Sequence, residues 1–488
     1  IKELNFELQI GLKTIVSIQI NFMILSQHQP MLTIDVMKGN FLFGSTFEIL
    51  KNPVAFLAKL ANKYGAVVIV RFAGKKYYVL QHPDLVKHIW LDNYKQYHKP
   101  GATKLLRMFL GDGLSTSNGE LWLRQRRLMQ PAFHSERMKY FTDVINEEVT
   151  FFANKLNTLS DNTKIDVNHE FLQLTIRIIS RSMFTMHFDK EIDTMICALE
   201  QLAAYAAAWM KSPVKIPVSL PTPANKNYKK NCEVFDKIIY TIIERRRREI
   251  ANGGATNNDL LDMLLNYYDE ETKSPMTEQL LRDELTTIFM AGHETTAQTL
   301  SWMFYHLAKD KTINEKLKAE SETICGNKSV LFEDTPKLIY TKQVIQETLR
   351  LYPPIWAVVR TPVKDDIING LRLPAQANVL LNIYGLHHHP DYWEQPEHFY
   401  PEHFNIANEK DRPAFVYVPF GGGPRLCLGQ NFAMLVMHIV LCRICQSFEF
   451  YVPEGYVPVV EPNITLRAKH GIQLNIKKIN SNQYENVI

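Results

Sequence analysis

Two periods organise the apolar and polar positions of this chain. Residues 52–64 place apolar side chains at helical spacing, and residues 67–72 and 76–80 alternate as short strands meeting at the Ala73-Gly74 turn. Long stretches with the 3.6-residue period follow at 135–159, 170–184, 192–210 and 225–252. Between the last two, Pro213, Pro217, Pro221 and Pro223 forbid a continuous helix and predict a stiff connection, equally readable as a lid or as a surface loop. Thr277 is placed to cap a further helix from 278 to about 309, roughly 48 Å long and able to cross a whole domain. The pattern predicts a mainly α chain with a smaller β region near its start. No repeat occurs at solenoid or propeller periods. The linker-like ANGGATNN at 251–258 does not divide the chain, because the motifs below fall on both sides of it. One domain is expected over residues 39–478, with an N-terminal extension at 1–38 and a tail at 479–488. The nearest approach to a membrane span, residues 10–25, is interrupted by Lys13, Gln19 and Asn21, so no stable membrane insertion is expected.

Composition narrows the function classes. With 46% hydrophobic and 22% charged residues, the 488-residue chain can bury a sizeable core. Its formal net charge of +4, from 55 basic and 51 acidic residues, argues against nucleic acid as the main partner. Six scattered cysteines suit a reducing compartment better than a disulfide framework. Cys442 and Cys445 form a CxxC inside the apolar helical run 433–448 and read as buried structural thiols. His387, His388 and His389, taken as extended chain, point in different directions and do not make one metal site.

The chemistry begins at FGGGPRLCLG, residues 420–429, followed by an apolar helix from about Gln430. Gly421, Gly422 and Gly423 permit conformations that other residues resist and let peptide N–H groups approach an anion. Cys427, just ahead of the helix, places its sulfur at the positive end of the dipole, favouring a thiolate that binds iron. The pattern F-x-x-G-x-R-x-C-x-G resembles the signature of the cytochrome P450 family and is matched at Phe420, Gly423, Arg425, Cys427 and Gly429. A five-position match arises by chance on the order of once in 10,000 such chains.

That resemblance implies a cytochrome P450 fold, a helix-rich lobe with a smaller β-rich lobe, and haem b held between the long central helix and the cysteine-loop helix, with Cys427 as axial ligand. Phe420, Gly421 and Gly429 belong to the loop around the iron. Arg425 stands where the family contacts a haem propionate. Trp122 and Arg126, at i and i+4 in GELWLRQRR, resemble a second anchor, and Arg360 after PPIWAVV a third. Within the long helix, AGHETTA at 291–297 tolerates Gly292 and two threonines at a cost of about 1 kcal/mol for the glycine alone. A threonine hydroxyl turned onto a carbonyl one turn back can bend such a helix and open a notch. By resemblance, Glu294 relays protons and Thr295 holds bound dioxygen and its water.

Glu347 and Arg350 share a helix face at i, i+3. Glu244 and Arg247 show the same spacing in ERRRRE, where a solvated charged face is the better reading. Position relative to the cysteine aligns the former with the family's Glu-Arg pair. Its usual third member, an arginine in a P-E-R-F-like segment, is replaced by His403 in PEHF, so the network is expected to be structural but weaker or pH-sensitive. By family position, the pocket is lined by residues 105–114, Phe289, Ala291, Ile355, Val358 and Leu466, an apolar set with a lean towards lipid-like substrates.

These features imply a monooxygenase that inserts one oxygen atom from O2 into a hydrophobic substrate by hydroxylation or epoxidation. About sixty residues follow Cys427, too few for an attached flavin or iron–sulfur domain, so no bound flavin is expected. Electrons are expected from a separate ferredoxin, flavodoxin or reductase docking on the cysteine side. A peroxide-using or rearranging haem-thiolate enzyme and a non-catalytic haem sensor are the alternatives. Similarity to bacterial-type members implies a cytoplasmic monomer.

Overall fold

The computed structural model describes residues 34–37, 39, 44–100, 104–188, 191–212, 215–254, 257–269 and 273–479. Most of the expected N-terminal extension, including residues 10–25, and the tail from residue 480 lie outside the described residues. The longer helices are α1 (Pro53–Lys63), α2 (Gly119–Met129), α3 (Ser135–Asn157), α4 (Val167–Phe184), α5 (Ile192–Lys211), α6 (Pro223–Ala251), α7 (Glu278–Lys309), α8 (Lys311–Ile324), α9 (Ile339–Leu351) and α10 (Gln430–Ser447). Their ends follow local chemistry. Asn52 accepts from the Ala55 N–H at 3.0 Å, with Pro53 in the first helical position of α1. Thr222 likewise accepts from Asn225, so the last proline of the 211–225 connection starts α6 instead of merely blocking its predecessor. Thr277 caps α7 through the Leu280 N–H at 3.2 Å.

A six-stranded sheet is built from β1 (Ile34–Val36), β2 (Val67–Phe72), β3 (Lys75–Leu80), β4 (Tyr97–His98), β5 (Val358–Pro362) and β6 (Asn378–Leu381), in the order β1-β2-β3-β6-β5-β4. β2 and β3 form the hairpin legible in the sequence, with Ala73 and Gly74 at positive φ in its turn. β6 runs parallel to β3 and antiparallel to β5, pairing Val379 with Arg360. Residues nearly 300 positions apart in sequence thereby form one layer beside the helical lobe.

Helix α7 runs through the helical lobe and is buried on almost every side. Gly292 lets α4 approach closely: an added Cβ would stand 2.8 Å from the Ile179 Cδ1, so that side chain would have to shift. The two helices are further tied by Thr175 Oγ1 donating to the His293 carbonyl at 3.1 Å and by Asn168 to Ser301 at 3.2 Å. Trp302 of α7 stacks on Tyr352 with ring centres 4.0 Å apart. Among the described residues, no helix is long and apolar enough to cross a membrane.

The ERRRRE run departs from the expected solvated face. Arg245, Arg247 and Arg248 lie outward, but Arg246 is fully buried, because one residue in each helical turn of α6 must face the core. Its guanidinium forks onto Asp259 at 2.8 and 2.9 Å, pairs with Asp262 and donates to the Phe184 carbonyl at 2.6 Å. Replacing Arg246 by Met strands two buried carboxylates, so equilibrium urea unfolding should show a loss of about 3–5 kcal/mol.

Candidate active site

Four consecutive features of the cysteine loop fix one sulfur atom. Gly421 and Gly423 hold φ of +78° and +61°. At Gly423 a side chain has no room, since a Cβ would stand 1.9 Å from the Trp90 carbonyl oxygen. The loop closes on itself: Cys427 N–H donates to Phe420 O at 2.9 Å and Leu426 N–H to Gly423 O at 3.0 Å. Gly429 then starts α10 as its N-cap. Cys427 is exposed, yet the protein packed around its sulfur raises its thiol pKa by desolvation; the Gly429 N–H and the nearby Arg126 act in the opposite direction.

The middle of α7 supplies an open face. Ile288, Ala291, Gly292 and Thr295, at i, i+3, i+4 and i+7, remain partly or fully exposed in a helix otherwise buried. Thr295 donates to the Ala291 carbonyl at 2.8 Å, the backbone contact expected of it. Glu294 points elsewhere. Its carboxyl is buried and accepts from Thr465 Oγ1 at 2.7 Å, with Arg467 nearby; burial holds its pKa above the usual carboxylate range.

A cluster of cations stands beside the loop. Arg425 lies over the Trp122 ring at 4.2 Å and reaches Ser117 O and Asn118 Oδ1 at 3.4 and 3.3 Å, while its buried Nε has no hydrogen-bond partner. Arg360 donates to the neighbouring Val359 carbonyl. Burial, followed by mutual repulsion, pushes Arg360 down to about 9, and burial leads the fall of Arg425 to about 10. Lys99, absent from the sequence-based set, belongs here too. It donates to Leu114 O and Ser115 O at 3.1 and 2.6 Å, and burial beside Arg425 and Arg360 pushes it down to about 6. Arg126 is displaced from this cluster toward the loop, donating to Leu426 O at 2.8 Å. No carboxylate forms an ion pair with Arg360, Arg425 or Lys99 among the described residues. The two guanidiniums, gathered against solvation cost with an orphaned N–H, call for an anion, which would also favour the charged form of Lys99; a porphyrin carrying two propionates fits that donor set.

Not every expected wall residue reaches this face. Phe289 is a core residue: its ring packs on Phe184 at 4.9 Å and on Phe235 at 6.3 Å, because position 289 lies round the helix from the 288–291–295 stripe. Phe109, within the expected 105–114 wall, also packs on Phe235, and Leu466 is buried in the strand β7 (Leu466–Ala468). Ala291, Ile355 and Val358 keep exposed surface. The 105–114 segment is anchored to α7 instead, Asp112 N–H donating to Asp283 at 2.8 Å and Leu114 N–H to Glu284 at 3.0 Å. Burial raises Glu284 to about 8.

The loop's support is a closed buried network. Arg350 clamps Glu347 at 2.7 and 2.8 Å and also donates to the carbonyls of His387, Pro396 and His398. His403 occupies the third place: Nδ1 lies 3.2 Å from both Glu347 oxygens and Nε2 lies 2.7 Å from Glu394 O. Arg412 stacks on Trp393 at 3.8 Å and donates to His403 O, bringing a second guanidinium to the ring's backbone. The histidine triplet ends a short helix rather than an extended segment. Buried His387 accepts from Val418 N–H at 2.9 Å, just ahead of the cysteine loop. No group of His, Cys, Asp or Glu able to hold a metal ion occurs among the described residues.

A family model described as Cytochrome P450 matches residues 36–476. Two proteins of Streptomyces melanosporofaciens are similar to this chain: Cyclooctat-9-en-7-ol 5-monooxygenase, 31% identical with 83% of this chain and 87% of its own length covered, and Cyclooctatin synthase, 32% identical with 88% and 92% covered. Human Cytochrome P450 4F3 is 30% identical, with 77% of this chain and 75% of that protein covered.

Since both ring nitrogens of His403 face acceptors, a ring carrying both protons donates to both, as a guanidinium would. His403→Leu should therefore destabilise the protein by about 1–3 kcal/mol in urea unfolding, whereas His403→Arg should retain most of the stability.

Proposed function

The chain belongs to the cytochrome P450 family, and from that premise we propose how its own residues serve a haem-thiolate monooxygenase reaction. Cys427 would hold the haem iron and Arg425, Arg360 and Lys99 would take the propionates, with Trp122 backing Arg425 and Arg126 steadying the loop at Leu426. Bound haem, with its iron held by thiolate, supplies the activation of dioxygen. The observation that carries this reading is an exposed cysteine at the head of α10, in a glycine-bent loop beside buried guanidiniums that have no ion-pair partner among the described residues.

Glu294 serves as the proton source for the face that Thr295 borders. Held by Thr465, with burial raising its pKa, it can release a proton and recover one through the exposed Glu200, which lies close enough to interact electrostatically with it. Thr295, anchored to Ala291 O, keeps its oxygen at the edge of the stripe. The exposed Ala291, Ile355 and Val358 make an apolar wall, which favours a hydrophobic substrate. The names of the streptomycete relatives, one of them a monooxygenase of cyclooctat-9-en-7-ol, support a carbocyclic or lipid-like substrate class. Electrons come from a separate protein. A recess of about 380 Å³ beside Cys427, lined by Arg126, Gln130, His134, Leu426 and Gln430, opens the cysteine side to such a donor.

The dithionite-reduced, carbon-monoxide-bound protein should display a strongly red-shifted Soret band that Cys427→Ala abolishes; haem binding without that band in the wild type would exclude thiolate ligation. Glu294→Gln keeps the neutral shape but cannot yield a proton. With a substrate identified by its spin-state shift, it should lower turnover on the order of 10²-fold while leaving substrate binding within a few-fold.

A further inference from the structure

Two glycines press the segment 111–118 onto the first turns of α7. At Gly111, held at φ +58°, an added Cβ would collide with the Asp283 carboxyl, and at Gly113 with Thr287 Oγ1 and the Asp283 carbonyl. Polar bonds then fix the segment on each side. On α7, Asp283 accepts from the Asp112 N–H at 2.8 Å and Glu284 from the Leu114 N–H at 3.0 Å. Gln125 of α2 donates to the Asp112 carbonyl at 2.6 Å and accepts from Ser117 Oγ at 2.5 Å. Lys99 Nζ donates to the carbonyls of Leu114 and Ser115 at 3.1 and 2.6 Å. Leu114 is therefore gripped by two ionisable groups, its N–H by the carboxyl of fully buried Glu284 and its carbonyl by the Lys99 amine.

An acid and a base on either side of one peptide, shielded from water, respond to each other. Burial leads both in raising Glu284 to about 8 and in lowering Lys99 to about 6, while each group favours the charged form of the other. The remaining charges that bear on the pair are Asp283, joined to Arg282 at 3.1 Å, on the α7 side and Arg425 and Arg360 on the Lys99 side; Gln125 is the neutral group facing Glu284 from α2. An anion arriving at Lys99 charges the ammonium, and the ammonium in turn favours the Glu284 carboxylate.

We propose that Glu284 is a positioning residue for the cofactor: through Leu114 it holds the Lys99 ammonium in place for a haem propionate, and it supplies the buried counter-charge that keeps that ammonium ionised. The inference rests on the haem-thiolate reading of the site and goes beyond it, since Glu284 acts only through Lys99. Glutamine at position 284 keeps an oxygen for the Leu114 N–H but carries no charge, so it separates the two roles. The carboxylate's contribution is gained as pH rises through its ionisation and is missing where the wild-type group is itself protonated.

The test is the rate of haem transfer from loaded protein to excess apomyoglobin for wild type, Glu284→Gln, Lys99→Met and the double variant, from about pH 6 to about pH 8.5. The carbon-monoxide band of thiolate ligation is recorded first, and its absence from the wild type overturns the underlying reading and this inference together. With the band present, Glu284→Gln should lose haem several-fold faster than wild type at the alkaline end, the gap closing as pH falls, and no gap should exist between Lys99→Met and the double variant. A gap of equal size at every pH, no gap at the alkaline end, or a gap that persists without Lys99 overturns the proposal and leaves the haem-thiolate reading standing. Should Glu284→Gln not fold, the ratio of the Lys99→Met rate to the wild-type rate decides: it should rise with pH, and a constant ratio overturns the proposal.

Discussion

The field around Cys427 is the constraint on which the rest of the structure turns. Desolvation raises its thiol pKa, while the Gly429 N–H and the nearby Arg126 act the other way. A metal cation is then the natural counter-charge, which couples thiolate formation to occupancy of the site. The same desolvation acts on Arg360, Arg425 and Lys99, at a cost that an incoming dianion removes. Both halves of the site are therefore strained in sign, one towards a cation and the other towards an anion, and a metalloporphyrin with propionates satisfies both together.

Such a site needs a frame that does not yield. The Glu347–Arg350–His403 network supplies it, because Arg350 reaches three carbonyls of the segment leading to the cysteine loop and His387 receives the Val418 N–H just before it. The network is buried throughout, so each missing partner leaves a desolvated group. His403 succeeds where an arginine is usual because the imidazole's two nitrogens lie in line with Glu347 and the Glu394 carbonyl. Arg412, nine residues on, supplies the remaining guanidinium over Trp393.

Much of this was legible in sequence, for identifiable reasons. The hairpin at 67–80, the proline break before α6 and the Thr277 cap follow from local rules, and the fold followed from motif order. Contacts set by tertiary packing were not legible. Phe289 shares the apolar character of the crevice residues, but its angle on α7 turns it into the core. Arg246 looks like its exposed neighbours until Asp259 and Asp262 are brought against it. Lys99 follows no motif, and its role arises because β4 pairs with β5, bringing residue 99 near Arg360. Gly292 shows in sequence only as a helix penalty, and its close approach to Ile179 of α4 emerges from packing.

The distribution of bonds divides the molecule by function. On the cysteine side, α9, α10 and the loop are joined by buried, charge-assisted bonds that resist small displacements. On the far side, the α5–α6 connection leaves Ile216 and Leu220 exposed and is gathered by Asn225, whose amide donates to Pro217 O and Leu220 O and whose oxygen accepts from Tyr205. Neutral hydrogen bonds near solvent open at lower free energy than buried ionic ones. The α5–α6 connection is therefore expected to open at lower free energy than the segments that hold Cys427, because its bonds are neutral and near solvent while theirs are buried and charge-assisted.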